Sequence, residues 1–471
     1  MPDFRILWHG PMIMATLSWV LGWVLGLPTN VSQAKDADRP TAAKTGTAAK
    51  SGNDRAFKAA KKEYQQRIHN KKPSERIAAL KLLAEFPTGE SADLVYVTLL
   101  DDKSDDVRSA AINFLAALRD RTEVTEKLLQ RMTASSRKGG MDIRAVGALQ
   151  ALGGTEVEAL QFRLIDYLNE FLGTPQADQQ LLHAMLDEQA AKADVEVMRL
   201  LMLFTRTEFF DRHFGLRRCV VQGLTQIKDR DGITHLINLL PRFKGLVEFD
   251  VVSHLVVSTG QNFGDDAGKW KLWWREKQNQ KQPDEKAKVP PIESYGKFGQ
   301  YYGIPICAKR VVFVLDTSGS MRGGKIEAAQ TELIRVIREL PKEVQFSVVA
   351  FDSSVRVWQH ELVQASELTK QVAVNVVLEQ SARGNTASYD ALEAAFELNP
   401  EAIYFLSDGA PQGGKVDDPR QIIASISGSN RVRRVSIHSI GIDTNLPTAT
   451  GFARFMKSLA EANWGVYKAV N

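Results

Sequence analysis

Cysteine is nearly absent from this chain: two residues in 471, Cys219 and Cys307. That excludes a disulfide scaffold and a four-cysteine zinc site, so burial of apolar surface must hold the fold. Histidine is also sparse, at eight residues with no HExxH and no clustered spacing, which removes the common zinc-enzyme signatures. His213, His235 and His254 fall in helical stretches and read as structural. No GxSxG elbow or Cys-His pairing offers a nucleophile, so the chain reads as non-enzymatic. Long apolar runs are missing apart from one near the N-terminus, and a mean hydropathy of -0.22 agrees in excluding a multi-span membrane protein. Neither sign of charge dominates: 60 Lys and Arg against 56 Asp and Glu leave +4. What is present is globular in composition, 44% hydrophobic and 25% charged, over a length that suits two or three domains.

The one apolar run, Met12 to Leu27, follows Arg5 and precedes Pro28 and the small residues Ser32 and Ala34. This is a secretory leader pattern, so residues 1–34 are expected to be a removable signal peptide and the mature chain to be exported, periplasmic or secreted. Its 16 residues are few for a bilayer span, which takes about 17–25. An uncleaved membrane anchor is the alternative. Residues 35–72 are rich in Ala, Lys, Thr and Gly and are expected to be a flexible basic linker, with helix only toward Lys72. They hold eleven Lys and Arg against four Asp and Glu, a net of +7, whereas everything after Lys72 sums to -3. The basic balance therefore belongs to the linker: it points to an anionic envelope surface and gives no reason to expect nucleic acid.

Residues 73–279 carry a recurring helical pattern. Arg76, Arg108, Arg144 and Arg217 are each followed by small or apolar residues at +2, +3, +4 and +7, offsets that share one helix face. The spacings of 32, 36 and 73 suit helical-hairpin repeats of about 33–47 residues, the last being two units long. Asp106-Val-Arg108 and Asp142-Ile-Arg144 resemble the Asp-x-Arg of HEAT repeats, although the unit between Leu152 and Phe214 is poorly formed. The resemblance implies an α-solenoid whose concave side can serve as an interaction surface. An irregular all-α domain without a binding role is the other reading. Trp270, Trp273 and Trp274 form a stripe taken as packing at the end of the array, and residues 280–300, ending in a Pro-Pro segment, read as a second linker. Cys219 sits at a core position of its repeat. A Cys219–Cys307 disulfide would be allowed after export but has no positive support.

The periodicity changes over 301–471. Apolar strands are expected at Val311–Leu315, Gln345–Phe351, Ile403–Ser407 and Val435–Ile440, with helices at 325–340, 368–380, 388–398, 419–426 and 452–461. That alternation predicts an α/β doubly wound, Rossmann-like sheet, mostly parallel, with helices on both faces and a ligand crevice at the carboxyl ends of its strands. Three segments at those ends bear oxygen donors: Asp316-Thr-Ser318-Gly-Ser320, Thr386 in Arg383-Gly-Asn-Thr386, and Asp408 in Phe405-Leu-Ser-Asp408-Gly409. Together they resemble the von Willebrand factor A family and its metal-ion-dependent adhesion site. The likeness departs at Asn385, where the family often has a second glycine. The resemblance implies that Ser318 and Ser320 bind a cation directly, Thr386 directly or through water, and Asp316 and Asp408 mainly through water. The cation would be Mg²⁺, or Mn²⁺ or Ca²⁺, and its open position would take an acidic residue of a partner protein. Two alternatives stay open. Gly319-Ser-Met-Arg-Gly-Gly324-Lys325 matches the GxxxxGK of a nucleotide-binding loop, though position 326 is Ile where a hydroxyl is needed. The chain would otherwise be a structural scaffold with a vacant metal site.

Overall fold

In the computed structural model of the chain, the residues described are 45–139, 142–172, 179–227, 230–278, 298–443 and 450–470. The expected signal peptide, residues 35–44 of the basic linker and nearly all of the second linker lie outside them. Among the described residues, no helix is long and apolar enough to cross a membrane.

Within the basic segment, where helix was expected toward Lys72, α1 runs Thr45–Arg67 and a turn follows before Lys72. The reason lies in its last turns. Tyr64 is fully buried with its hydroxyl 2.6 Å from Thr98, Phe57 packs on Phe86 with ring centroids 5.3 Å apart, and Lys61 pairs with Glu90. An Ala- and Lys-rich composition suits a helix once two aromatics give it a surface to dock on.

Twelve of the following helices build the array: α2 (Pro73–Ala84), α3 (Gly89–Thr98), α4 (Asp105–Ala116), α5 (Thr122–Gly139), α6 (Ile143–Leu152), α7 (Glu158–Leu172), α8 (Gln179–Ala190), α9 (Val195–Phe204), α10 (Glu208–Arg212), α11 (Phe214–Gln226), α12 (Arg230–Leu239) and α13 (Leu246–Thr259). Helices α2, α4, α6, α8, α11 and α13 pack in one row, and α3, α5, α7 and α9 in a second. Each unit thus covers its apolar stripe with the next, as a solenoid requires. The Asp-x-Arg pattern has a local cause. Asp142 caps α6 by accepting the Ala145 N–H at 2.9 Å, while Arg144 reaches back to Asp101. Arg76 grips Asp102 through two bonds of 2.7 Å, and Arg108 donates to the carbonyl of that same Asp102 at 2.6 Å. Helix α14 (Ala267–Gln278) closes the array: Trp270 is fully buried, edge-on to Phe263, and its indole N–H donates to the Gly264 carbonyl at 2.8 Å.

The poorly formed unit is present, as α7, α8 and α9. Counting from Gln180, the repeat's offsets fall on Leu182, His183, Ala184 and Asp187 of α8. Two of these are polar because this helix, besides packing on α6 and α11 in its row, also faces another part of the molecule.

That other part is a seven-stranded sheet of β3 (Arg310–Asp316), β4 (Gln345–Phe351), β5 (Val355–Val357), β6 (Val363–Gln364), β7 (Ala402–Ser407), β8 (Ser436–Ile442) and β9 (Tyr467–Val470), preceded by a small hairpin of β1 (Gln300–Tyr301) and β2 (Ile304–Pro305). The order is β5-β4-β3-β7-β8-β9, parallel from β4 to β9, with β5 and β6 antiparallel to β4. Side chains alternate across β3. Val311, Phe313 and Leu315 pack toward α15 (Lys325–Glu339) and α16 (Glu367–Leu378). Val312 and Val314 pack toward α17 (Ser388–Glu397), α18 (Pro419–Arg433) and α19 (Thr450–Glu461). Both faces are covered, which is why β3 reads as a continuous apolar run. Helix α18 extends past the expected 426 through Ser-Gly-Ser-Asn, because Asn430 is buried and bonds both Val435 and Asn463.

Helices α8 and α11 pack on α18, and Phe57–Asn471 form one compact unit. At their junction Arg434 ends α18 in a left-handed conformation with its side chain 4% exposed. It reaches Asp187 Oδ1 at 2.5 Å and Gln222 Oε1 at 3.0 Å, donates to Cys219 Sγ at 3.3 Å, and lies over the Trp464 ring. Arg218 donates to the Arg434 carbonyl at 2.5 Å and to Asp250 at 2.7 Å. Approach is close enough that a side chain at Gly215 would meet the Val432 carbonyl oxygen at 1.9 Å. Burial pushes the Cys219 thiol up to about 12 and His183, beside Arg434, down to about 3. Cys219 and Cys307 are both buried and form no disulfide with each other. Replacing Arg434 by Met should destabilise the chain by roughly 3 kcal/mol in urea unfolding, at the low end for breaking a buried ion pair because Asp187 keeps access to water.

Candidate functional site

The strand order reverses direction between β3 and β7, the place where doubly wound sheets open a crevice. Both strands are parallel and in register, so the residues at their ends, Asp316 on one and Ser407 and Asp408 on the other, lie side by side. The third donor segment, after α16, comes to the same edge.

Asp316 is fully buried. Its Oδ1 accepts the Ser318 N–H at 2.7 Å and its Oδ2 accepts the Ser407 hydroxyl. Burial nonetheless pushes its carboxyl up to about 6, against the pull of those bonds. Ser318, also buried, has its hydroxyl 3.0 Å from that of Ser320, which donates to Asp408 Oδ1 at 2.6 Å. Thr386 is buried and its backbone forms a two-bond bridge with Gln412, each bond 3.0 Å. All five residues singled out in the sequence therefore meet at one edge.

The loops are strapped from beneath. The Gly319 N–H bonds the Gly384 carbonyl at 3.0 Å, and the Arg383 N–H bonds the Thr317 carbonyl at 2.8 Å. Arg356 bridges Thr317 Oγ1 at 2.7 Å and Asp352 at 2.8 Å. Although burial alone would raise it, Asp352 is held below the usual carboxylate range by bonds from Ser354 and Arg356. Asn385, in place of the second glycine, is exposed, has no positive φ, and donates its N–H to Ser353 Oγ at 2.9 Å, so the departure costs no strain. Sequence reasoning missed Asp352 and Arg356, which carry no motif, and the bond that the Ser407 hydroxyl makes to Asp316. It also missed the role of Lys325, whose Nζ lies 2.8 Å from Asp408 Oδ2 and 3.0 Å from Asp443 Oδ2. Those two bonds outweigh the burial that would lower Lys325 and raise its affinity for its proton. The only hint was a lysine opening a helix.

The donor set fits a small hard cation. Thr386 is only 4% exposed, and its hydroxyl and that of Ser320 border the same space. Gly409 keeps the space above them open: a Cβ there would stand 3.4 Å from Ser320 Oγ and 3.9 Å from Thr386 Oγ1. Among the described residues no group of three His, Cys, Asp or Glu is placed to hold a metal ion, so any ion here depends on hydroxyl oxygen as well, and oxygen donors suit Mg²⁺ and its kind. The phosphate-loop alternative fares worse. Ile326 points into the core at 5% exposure, and Lys325 is engaged by two carboxylates.

A doubly wound sheet bearing hydroxyls and carboxylates at its carboxyl edge defines the class. Residues 309–469 match the family model of the von Willebrand factor type A domain. Similar relatives include the human inter-alpha-trypsin inhibitor heavy chain H4, 30% identical over 197 residues covering 37% of this chain and 20% of that one. The mouse inter alpha-trypsin inhibitor heavy chain 4 is 27% identical over 183 residues, covering 36% and 18%. The chain thus spans about a fifth of the length of these curated relatives. Among solved structures, a von Willebrand factor type A protein from Catenulispora acidiphila is 23% identical with a TM-score of 0.30, over 36% of this chain and 40% of that one.

The raised Asp316 carboxyl has a testable sign. A carboxyl whose pKa is higher folded than unfolded favours the fold while protonated, and that stabilisation is lost as pH rises from about 4 to about 6, on the order of 3 kcal/mol in all. Thermal unfolding in EDTA should show wild type losing stability across that window, and Asp316→Asn, which keeps the shape and can still accept the Ser318 N–H while donating to Ser407, should lack this loss.

Proposed function

We propose that this is an exported, non-enzymatic protein-binding protein. Its type A domain would hold a Mg²⁺-type cation on Ser318, Ser320 and Thr386, with Asp316 and Asp408 acting mainly through water, and would bind an acidic side chain of a partner protein there. The observation that carries the reading is the gathering at one edge of the Ser318–Ser320–Asp408 chain of hydroxyls and carboxylate with Thr386, whose hydroxyl borders the same space at Gly409 as that of Ser320. Neutral inner donors leave a bound cation electrophilic, which is what an outside carboxylate requires. A role in protein–protein interaction is the coarser conclusion that the family match supports. The helical repeats offer a second interaction surface. Export rests on the leader pattern of residues 1–34, and the basic segment after it suits an anionic envelope surface.

The protein's own residues would act in distinct ways. Ser318 and Ser320 present lone pairs upward while their protons are passed toward Asp408. Asp316 fixes the loop through the Ser318 N–H and supplies charge from below. Removing the Ser318 hydroxyl (Ser318→Ala) should abolish stabilisation by millimolar Mg²⁺ or Mn²⁺ in calorimetry and abolish EDTA-sensitive capture of a partner from the native envelope. A metal response that survives in this variant would sink the reading.

A further inference from the structure

Lys325 is an ammonium placed where helices favour anions. It is the first residue of α15, and a cation there opposes the helix dipole. Two carboxylates offset that cost, Asp408 at 2.8 Å and Asp443 at 3.0 Å. Asp408 is thereby occupied at both oxygens, Oδ1 by the Ser320 hydroxyl and Oδ2 by Lys325, with its side chain fully buried. It is not free to swing both oxygens toward an ion. Asp443 follows β8 with a φ of 56°, in the left-handed region that Asp and Asn tolerate. With Asp316, the set is three carboxylates and one ammonium, a fixed charge of -2.

We infer that Lys325 and Asp443 set the electrostatic strength of the cation site. Lys325 holds Asp408 outside the inner shell and removes one unit of negative charge from the surroundings. A divalent cation is then bound less tightly but keeps more positive charge for an incoming carboxylate, and Asp443 limits how far this goes. The inference rests on the cation reading proposed above, and it assigns Lys325 a positioning role in place of nucleotide binding.

The two neighbours predict opposite shifts. In calorimetry of the full chain stripped of metal, Lys325→Met should bind Mn²⁺ roughly three- to tenfold more tightly than wild type, and Asp443→Asn more weakly by a similar factor. Lys325→Arg, which keeps the charge, should stay within about twofold of wild type. Acetate titrated into the Mn²⁺-loaded proteins, read as loss of metal-bound water by proton relaxation, should act at higher concentration on Lys325→Met and at lower concentration on Asp443→Asn. The inference is overturned if wild type binds Mn²⁺ while Lys325→Met binds it equally or less well. It is also overturned if both neutralising variants shift the same way, or if Lys325→Arg shifts as far as Lys325→Met, since either result means packing and not charge. A wild type without Mn²⁺ binding overturns the cation reading itself, and this inference with it.

Discussion

Everything at the carboxyl edge of the sheet is arranged around one buried carboxylate. Asp316 ends a strand covered on both faces, so its charge has no access to water, and a group in that position must be neutralised by protonation, by hydrogen bonds or by a cation. Hydrogen bonds from the Ser318 N–H and the Ser407 hydroxyl satisfy its oxygens but leave its carboxyl raised to about 6. The strain of an incompletely compensated charge is thereby built into the floor of the site. Ser318, whose N–H serves Asp316, passes the connection on through its hydroxyl to Ser320 and so to Asp408, which ties the two carboxylates into one hydrogen-bonded chain.

The nearby charges are graded by what compensates them. Asp352 is almost as buried as Asp316 yet is held low, because Arg356 and Ser354 serve it directly. Asp408 has a lysine and a serine. Only Asp316 lacks a cationic partner within hydrogen-bond reach. The straps through Arg356 and Arg383 also tie the segment bearing Thr386 to the β3 loop, so a hydroxyl supplied from a distant part of the sequence arrives in place without depending on a ligand to order it.

Much of this was legible in the sequence because the chemistry there is local. A buried parallel strand must be apolar throughout, a loop of Asp-x-Ser-x-Ser needs its glycines, and the four longer strands and five helices announce themselves by period. What stayed hidden was either too short or too far apart. Strands β5, β6 and β9 span three, two and four residues, below the length at which alternation can be recognised. Lys325, Asp408 and Asp443 are drawn together from a helix start and two strand ends, and only the fold reveals that the lysine is committed. The missing repeat is the clearest case. His183 and Asp187 break the apolar pattern of α8 because that helix serves Arg434 from 247 residues away, so a sequence test for repeats failed where the repeat had acquired a second task.

That second task changes what the two parts of the chain can do together. A solenoid and a sheet domain joined only by a charged linker would sample many mutual orientations, and a partner touching both would have to order them at an entropic cost. Here α18 leaves the loop that follows Asp408 and runs 15 residues, about 22 Å, to Arg434 at the solenoid. One end of this helix abuts the candidate site and the other is locked against α8 and α11 by Asp187, Gln222, Cys219 and the Arg218 bond to its terminal carbonyl. The repeats therefore do two kinds of work: part of the first row is consumed in holding the sheet, and the surface that remains stands at a fixed angle to the carboxyl edge. A partner that engages both surfaces meets a preformed geometry, and its affinity depends on fit to that geometry instead of on the reach of a linker.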